Sequence, residues 1–70
     1  MRIEWVGDFK IDVRLDSDNT VEISANRDGL LSLARQLTTL ADSFVGSHIH
    51  YDDYNSLEDG SIPMIIQKRW

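Results

Sequence analysis

Three polar side chains at alternate positions, His48, His50 and Asp52, are the residues of this chain best suited to chemistry. On a β-strand, residues two apart share a face at a spacing of about 6.6–7 Å. Imidazole and carboxylate groups are the ligands that zinc and non-haem iron bind. The spacing therefore permits a metal-binding module, although three consecutive ligands on one strand suit a single ion poorly. The chain has only two histidines, and the alternative is a polar strand face, so we predict no metal and no cofactor.

The same two histidines could instead act as an acid–base pair, with Glu58 or Asp59 orienting them. Cleavage of RNA by such a pair requires cations that hold the phosphate and stabilise its transition state. Residues 36–67 contain no Lys or Arg, and the chain has no phosphate loop, nucleophile elbow or Ser-His-Asp ordering. The sequence therefore predicts a protein that is not an enzyme.

An acidic loop that contains tyrosine follows the histidines. Its acids do not have the spacing of an EF-hand calcium loop. Tyrosine next to carboxylates is typical of a recognition surface, although Tyr51 could instead lie in the core with Tyr54 as a lid over it. We predict a partner-binding site made of seven residues, namely His48, His50, Asp52, Asp53, Tyr54, Glu58 and Asp59.

The distribution of charge is informative about partners. Residues 36–67 carry five acids and no Lys or Arg, which equals the whole formal net charge of −5. Such a segment argues against nucleic acid or an anionic membrane as partner and favours a cationic protein. The alternative is a solvated acidic surface. A length of 70 residues predicts a single domain over residues 1–70. The absence of cysteine, of a signal-like start and of any apolar run of about 20 residues indicates a reducing cytoplasm.

The elements that position these residues begin with an alternating segment. Apolar residues occupy odd positions from Arg2 to Asp16, which predicts one long half-buried strand bent at Gly7, or two strands split there. The next strand is Thr20–Ala25. Matching the inward faces pairs Leu15 with Val21, Val13 with Ile23 and Ile11 with Ala25. This register requires Asn19 to adopt positive φ, and it places Arg14 opposite Glu22 as an ion pair.

A single helix is predicted over Asn26–Gly46, with Asn26 as N-cap and Gly46 at its C-terminal end. Its apolar face consists of Leu30, Leu33, Ala34, Leu37, Leu40, Ala41 and Phe44. Strands Ser47–Tyr51 and Ile62–Lys68 follow, with Leu57 folding the intervening loop onto the core and Pro63 at a strand start or sheet edge. The fold class is α+β with the order ββαββ, a largely antiparallel sheet of about four strands and one helix on one face.

Three segments resemble a family of small bacterial proteins, the predicted immunity proteins of polymorphic toxin systems. They read V-E-I-S-A-N-x-x-G-L-L-S-L-A, then G-S-H-I-H-Y-D-x-Y-N-S-L-E-D-G-S, then I-I-x-K, and span Val21 to about Lys68. The resemblance implies a cytosolic antidote that binds a cognate toxin domain and blocks it. It assigns no catalytic role to the matching positions, which are Gly46, Ser47, His48, His50, Asp52, Tyr54, Leu57, Glu58, Gly60 and Ser61. Ile62-Pro63-Met64 departs from the more polar, Glu-containing strand start of the family.

A structural homodimer is a further alternative. A chain of 70 residues forms only a small core, and a second copy would bury a sheet edge or the surface around Ile65 and Ile66.

Overall fold

The computed structural model describes residues 2–70. The single-domain prediction also covers Met1, which lies outside the described residues. The elements in chain order are β1 (Ile11–Leu15), β2 (Val21–Ala25), α1 (Arg27–Ala41), β3 (His48–Tyr51) and β4 (Met64–Gln67). The ββαββ order and the α+β class are confirmed. The prediction of one four-stranded sheet is wrong, because β1 pairs with β2 and β3 with β4 in two separate antiparallel sheets.

The sheets are separate because the segment before β4 follows β1 without forming a regular ladder. The backbone N–H of Glu58 donates to the Ile11 carbonyl at 2.9 Å, and that of Ile62 donates to the Val13 carbonyl at 2.8 Å. Between these bonds, the Val13 N–H donates to the Ser61 hydroxyl rather than to a carbonyl, at 3.1 Å. Pro63 then has no N–H to donate. Regular strand structure therefore begins only at Met64, two residues after the predicted start.

The β1–β2 hairpin has the predicted register, with Leu15 opposite Val21 and Ile11 opposite Ala25. Asn19 adopts φ +60°, as its three-residue loop requires. Arg14 lies opposite Glu22, but the predicted ion pair between them is wrong. The Arg14 guanidinium turns along its own strand to Asp12, with 3.0 Å between Nε and Oδ2. Main-chain carbonyls beyond Asp12 supply further acceptors in that direction.

The predicted strand over residues 2–10 is wrong in both its forms, because no strand precedes Ile11 in the described chain. Gly7 lies in a turn with φ +42°. Residues 3–10, here called the N-terminal strap, are held by side chains of α1. The Val6 N–H donates to the Ser32 hydroxyl at 2.8 Å, and Gln36 Nε2 donates to the Glu4 carbonyl at 2.8 Å. The strap keeps the predicted inward face, however, since Ile3, Trp5 and Phe9 pack against the core.

The helix begins as predicted and ends early. The Asn26 side chain caps it by accepting the Gly29 N–H at 2.8 Å. It stops at Ala41, five residues before Gly46, so the predicted C-terminal role of Gly46 is wrong. The Lys68 ammonium donates instead to the carbonyls of Ala41 and Ser43, at 2.6 and 2.8 Å. The negative end of the helix dipole also stabilises a cation at this position.

The buried face of α1 is rotated away from the predicted leucine stripe. Its buried residues are Gly29, Ser32, Gln36 and Leu40. Leu30, Leu37 and Phe44, which were predicted to be buried, are exposed. The strap explains the rotation, because its backbone needs the polar groups of Ser32 and Gln36. No helix within residues 2–70 has the length and apolar character needed to cross a membrane.

The core lies between the helix and the two sheets. It consists of Ile11, Val13, Leu40, Ile49, Tyr51 and Leu57. Leu57 confirms the prediction that the loop before β4 folds back onto the core. Ile65 and Ile66 face opposite sides of β4, as expected, and Ile65 is exposed. Trp70 is almost fully exposed.

Candidate functional site

The two histidines lie side by side on the exposed face of β3. Ile49 and Tyr51 alternate with them and are buried, so the strand pattern directs His48 and His50 outward. Their ring centroids are 4.9 Å apart, with the rings nearly perpendicular at 73°. His48 Nδ1 lies 3.1 Å from the Gly46 carbonyl, which orients that ring. The shared face predicted from the sequence is therefore present.

An open cleft of about 400 Å³ adjoins the histidines. Ile3 and Trp5 of the N-terminal strap form its apolar part, and His48, His50 and Asn55 form its polar part. The sequence interpretation did not assign Trp5 or Asn55 to the site. The odd position of Trp5 predicts that it points inward, but only the strap's path along α1 brings it near β3. Trp5 stacks on Phe9, with ring centroids 4.2 Å apart, which fixes its position.

Asp52 closes the loop that follows β3. Its Oδ1 accepts the backbone N–H groups of Tyr54 and Asn55 at 2.9 and 3.0 Å. This is the Asx-turn arrangement, in which a carboxylate takes the place of a turn carbonyl. The carboxylate therefore serves the loop backbone. Within residues 2–70, no group of three or more His, Cys, Asp or Glu side chains is arranged to hold a metal ion.

The two tyrosines have opposite environments. Tyr51 is 1% exposed, and its hydroxyl donates to Gln36 Oε1 at 2.7 Å. Burial raises the pKa of the Tyr51 hydroxyl. Tyr54 is 99% exposed, so it is not a lid over Tyr51. It stands on a loop held at both ends, because the backbone N–H groups of Ser56 and Leu57 donate to the Asp52 carbonyl.

Arg14, predicted from the sequence to form an ion pair with Glu22, contacts the end of the acidic loop instead. Asp53 and Glu58 are exposed. The Arg14 guanidinium donates to the carbonyls of Asp59 and Gly60, both at 3.3 Å, and so places a positive charge at that end of the loop. The hydrogen bond from Arg14 also lowers the pKa of Asp12. Because Arg14 binds the main chain there and pairs its charge with Asp12, the exposed carboxylates of Asp53, Glu58 and Asp59 have no ion-pair partner within residues 2–70.

A glycine lets the guanidinium approach. Gly60 has φ +81°, and a Cβ there would lie 3.3 Å from Arg14 Nη1.

The seven predicted site residues lie in two neighbouring groups. The histidine pair lies on β3, and the acidic loop with Tyr54 follows it.

Comparison with known proteins identifies a family. The family model described as Immunity protein 32 matches residues 20–69. No curated protein and no solved structure matches the chain. The matched segment contains β2, the helix, the histidine pair, the acidic loop and β4. Because this match covers well over half of the 70 residues, the chain belongs to the Immunity protein 32 family.

Proposed function

We propose that the protein is a non-enzymatic antidote of the bacterial cytoplasm that binds a cognate toxin domain and blocks its activity. Membership of an immunity protein family supports this role. We place the contact at the acidic loop and the histidine pair, that is, at His48, His50, Asp52, Asp53, Tyr54, Glu58 and Asp59. The observation that carries this placement is Tyr54, a 99% exposed aromatic side chain on a hydrogen-bonded loop.

An exposed tyrosine on an ordered loop is well suited to bind a pocket on a partner. Aromatic side chains supply a large contact area, and tyrosine is enriched among the residues that dominate binding energy. Ordering a flexible loop on binding would cost affinity. Here Asp52 already holds the backbone at Tyr54 and Asn55, so much of that cost is met in the free protein.

The charges of the loop favour a cationic partner. Asp53 and Glu58 are exposed, and the one ion pair within residues 2–70 joins Arg14 to Asp12 rather than to either of them. Opposite charge on the partner would speed association, most strongly at low salt. Fast association suits an antidote, because the toxin must be bound before it acts on the cell.

The cleft beside the histidines extends the proposed contact. Trp5 and Ile3 offer an apolar floor, and Asn55 and the two imidazoles offer hydrogen-bonding groups. A side chain of the partner could enter there while Tyr54 binds in the opposite direction. Inhibition then follows from covering the toxin surface that the loop contacts.

The test needs a candidate toxin domain, to be sought among the neighbouring genes, and measures association and dissociation by stopped flow at low and high salt. Tyr54→Ala should mainly speed dissociation, with a loss of roughly 2 kcal/mol or more if Tyr54 is a hot spot. Phe44→Ala is the matched control, because Phe44 is an exposed aromatic residue outside the loop. It should leave both rates unchanged.

The charge is tested separately with the double variant Asp53→Asn and Glu58→Gln, which preserves Asp52 and its turn. Association should slow at low salt and lose much of its salt dependence, with dissociation nearly unchanged. If both the tyrosine and the charge variants bind like the parent, the loop is only a solvated surface and the contact lies elsewhere.

A further inference from the structure

A second surface, apolar and remote from the acidic loop, lies along β2. The residues of β2 that point to the core side of the hairpin are poorly covered, with Val21 61% and Ile23 46% exposed. Leu15, opposite Val21 on β1, is also exposed. Large apolar side chains gathered at one place on a small soluble protein commonly mark an interface.

The helix adds to this surface. Leu30 and Leu37 are 57% and 44% exposed. At 100° per residue, Leu37 lies half a turn around the helix from Asp28, and Asp28 faces the N-terminal strap through its bond to the Asp8 N–H. Leu30 and Leu37 therefore lie on the flank away from the strap. The helix follows β2 directly, and its first turn lies against the end of that strand, where Gly29 approaches Ala25. The start of this flank, at Leu30, therefore adjoins the core side of β2.

The backbone of β2 has a free edge beside this surface. The Asp16 N–H donates to the Thr20 carbonyl, and the Asn26 N–H donates to the Lys10 carbonyl. In an antiparallel pair, every second residue of a strand directs its N–H and C=O groups to the partner strand. Thr20 and Asn26 do so at the two ends of the hairpin, so the N–H and C=O groups of residues 22 and 24 also point to β1. Those of Val21, Ile23 and Ala25 point outward. No other strand within residues 2–70 pairs with β2.

The edge has few of the features that normally prevent pairing with another chain. Edge strands are usually protected by charged side chains, especially lysine, by proline or by a bulge, and β2 (VEISA) has only the single charge of Glu22. The exposed helix flank, Leu30, Ala34, Leu37 and Ala41, carries no charge. The edge of β4 in the other sheet is better protected against pairing, because Pro63 precedes this strand and Lys68 follows it. A charged partner of the acidic loop would therefore gain little at β2.

We propose that a second copy of this chain binds here, adding its β2 antiparallel to the first about a two-fold axis through Ile23. This register sets Ile23 opposite Ile23 and Val21 opposite Ala25 of the second copy, and their outward N–H and C=O groups bond across the axis. Glu22 then lies opposite Ser24 of the second copy. The same two side chains already bond within one chain, where the Ser24 hydroxyl donates to Glu22 at 3.3 Å.

The charge of Glu22 selects this register over its neighbours. A shift by one residue in each copy toward the hairpin turn would set Glu22 opposite Glu22, and like charges directly opposite one another are destabilising. The reverse shift would leave Val21 without a partner. An axis perpendicular to the sheet keeps both helices on the same face, so their apolar flanks approach each other, and Ala34 and Ala41 leave room between them.

The test measures the mass of the free protein by sedimentation equilibrium over a roughly hundredfold dilution, because a dimer held by mass action dissociates on dilution. The parent should be a dimer at the concentrated end. Ile23→Lys should be a monomer throughout, and Leu37→Lys, placed on the helix flank, should weaken the dimer independently. Ile65→Lys is the matched control, because Ile65 is an exposed isoleucine on β4, and it should behave like the parent. Circular dichroism establishes that each variant is folded.

Amide hydrogen exchange identifies the edge itself. The N–H groups of Glu22 and Ser24 should exchange slowly at every concentration. Those of Val21 and Ile23 should exchange slowly only where the dimer forms, at least roughly tenfold slower than in the dilute sample. A parent that is monomeric throughout overturns the proposal. Protection of Val21 and Ile23 only in the presence of a toxin domain would also overturn it, by showing that the edge receives a strand of the toxin.

Discussion

Removal of the Tyr51 hydroxyl is expected to destabilise the fold although it removes a single atom. The hydroxyl donates to Gln36 Oε1 at 2.7 Å, and Gln36 Nε2 donates in turn to the Glu4 carbonyl. Gln36 is fully buried. Tyr51→Phe therefore leaves a buried amide oxygen without a partner, since water cannot reach it.

The expected size follows from the cost of an unsatisfied buried acceptor, about 1–3 kcal/mol. At roughly 0.05–0.15 kcal/mol per residue, a domain of this length has a free energy of unfolding of only about 4–10 kcal/mol. The loss is thus a large share of the total. It should lower the midpoint of thermal unfolding by roughly 4–8 °C for each kcal/mol.

Urea unfolding of Tyr51→Phe, Gln36→Leu and the double variant forms a mutant cycle that measures the bond. The double variant should be more stable than the sum of the single losses predicts, by about 1 kcal/mol, because it removes both ends of the interaction. Tyr54→Phe is the control, since its hydroxyl is in water, and it should stay within about 0.5 kcal/mol of the parent. A Tyr51→Phe protein as stable as this control, or a strictly additive cycle, would refute the reasoning.

Three further outcomes follow from single contacts. Burial raises the pKa of Tyr51 above its unfolded value, so its contribution to stability is complete below about pH 10 and declines above it; urea unfolding at high pH should show a decline that Tyr51→Phe lacks. Arg14→Gln should return the pKa of Asp12 upward toward its ordinary range, as measured by an NMR titration, and an unchanged value would exclude the observed hydrogen bond as the cause. Gly29→Ala should lower the unfolding temperature although alanine gains about 1 kcal/mol over glycine in a free helix, because its Cβ would collide with the Lys10 carbonyl.

The hairpin was predictable because two independent local signals agree. Matching the inward apolar residues restricts the register to shifts of two residues, and the three-residue loop, in which Asn19 tolerates the required positive φ, selects the observed one. The face shared by His48 and His50 follows equally directly from the period of a strand. In each case residues close in the sequence determine the result.

The N-terminal strap could not be predicted in this way. An alternating pattern indicates an extended chain with one buried side, which a strand and a strap satisfy equally. Ser32 and Gln36 decide between them by binding the strap's backbone from 26 and 32 residues away. The same two residues rotate the buried face of α1, so both errors have one cause. The contact of Arg14 with the site could not be predicted for a related reason, because its acceptors at Asp59 and Gly60 lie 45 and 46 residues later in the chain.

The arrangement of β1 keeps the two proposed surfaces independent. β2 pairs along one edge of β1, whereas residues 58–62 bond along the other edge. A dimer formed through β2 would therefore leave the acidic loop of each copy open on the far side of its hairpin. Two loops on one dimer raise the strength of attachment to closely spaced toxin molecules without changing the affinity of either loop. Ile23→Lys should accordingly leave binding to a free toxin domain unchanged and weaken only the attachment to a densely immobilised one, since it removes the dimer and not the contact.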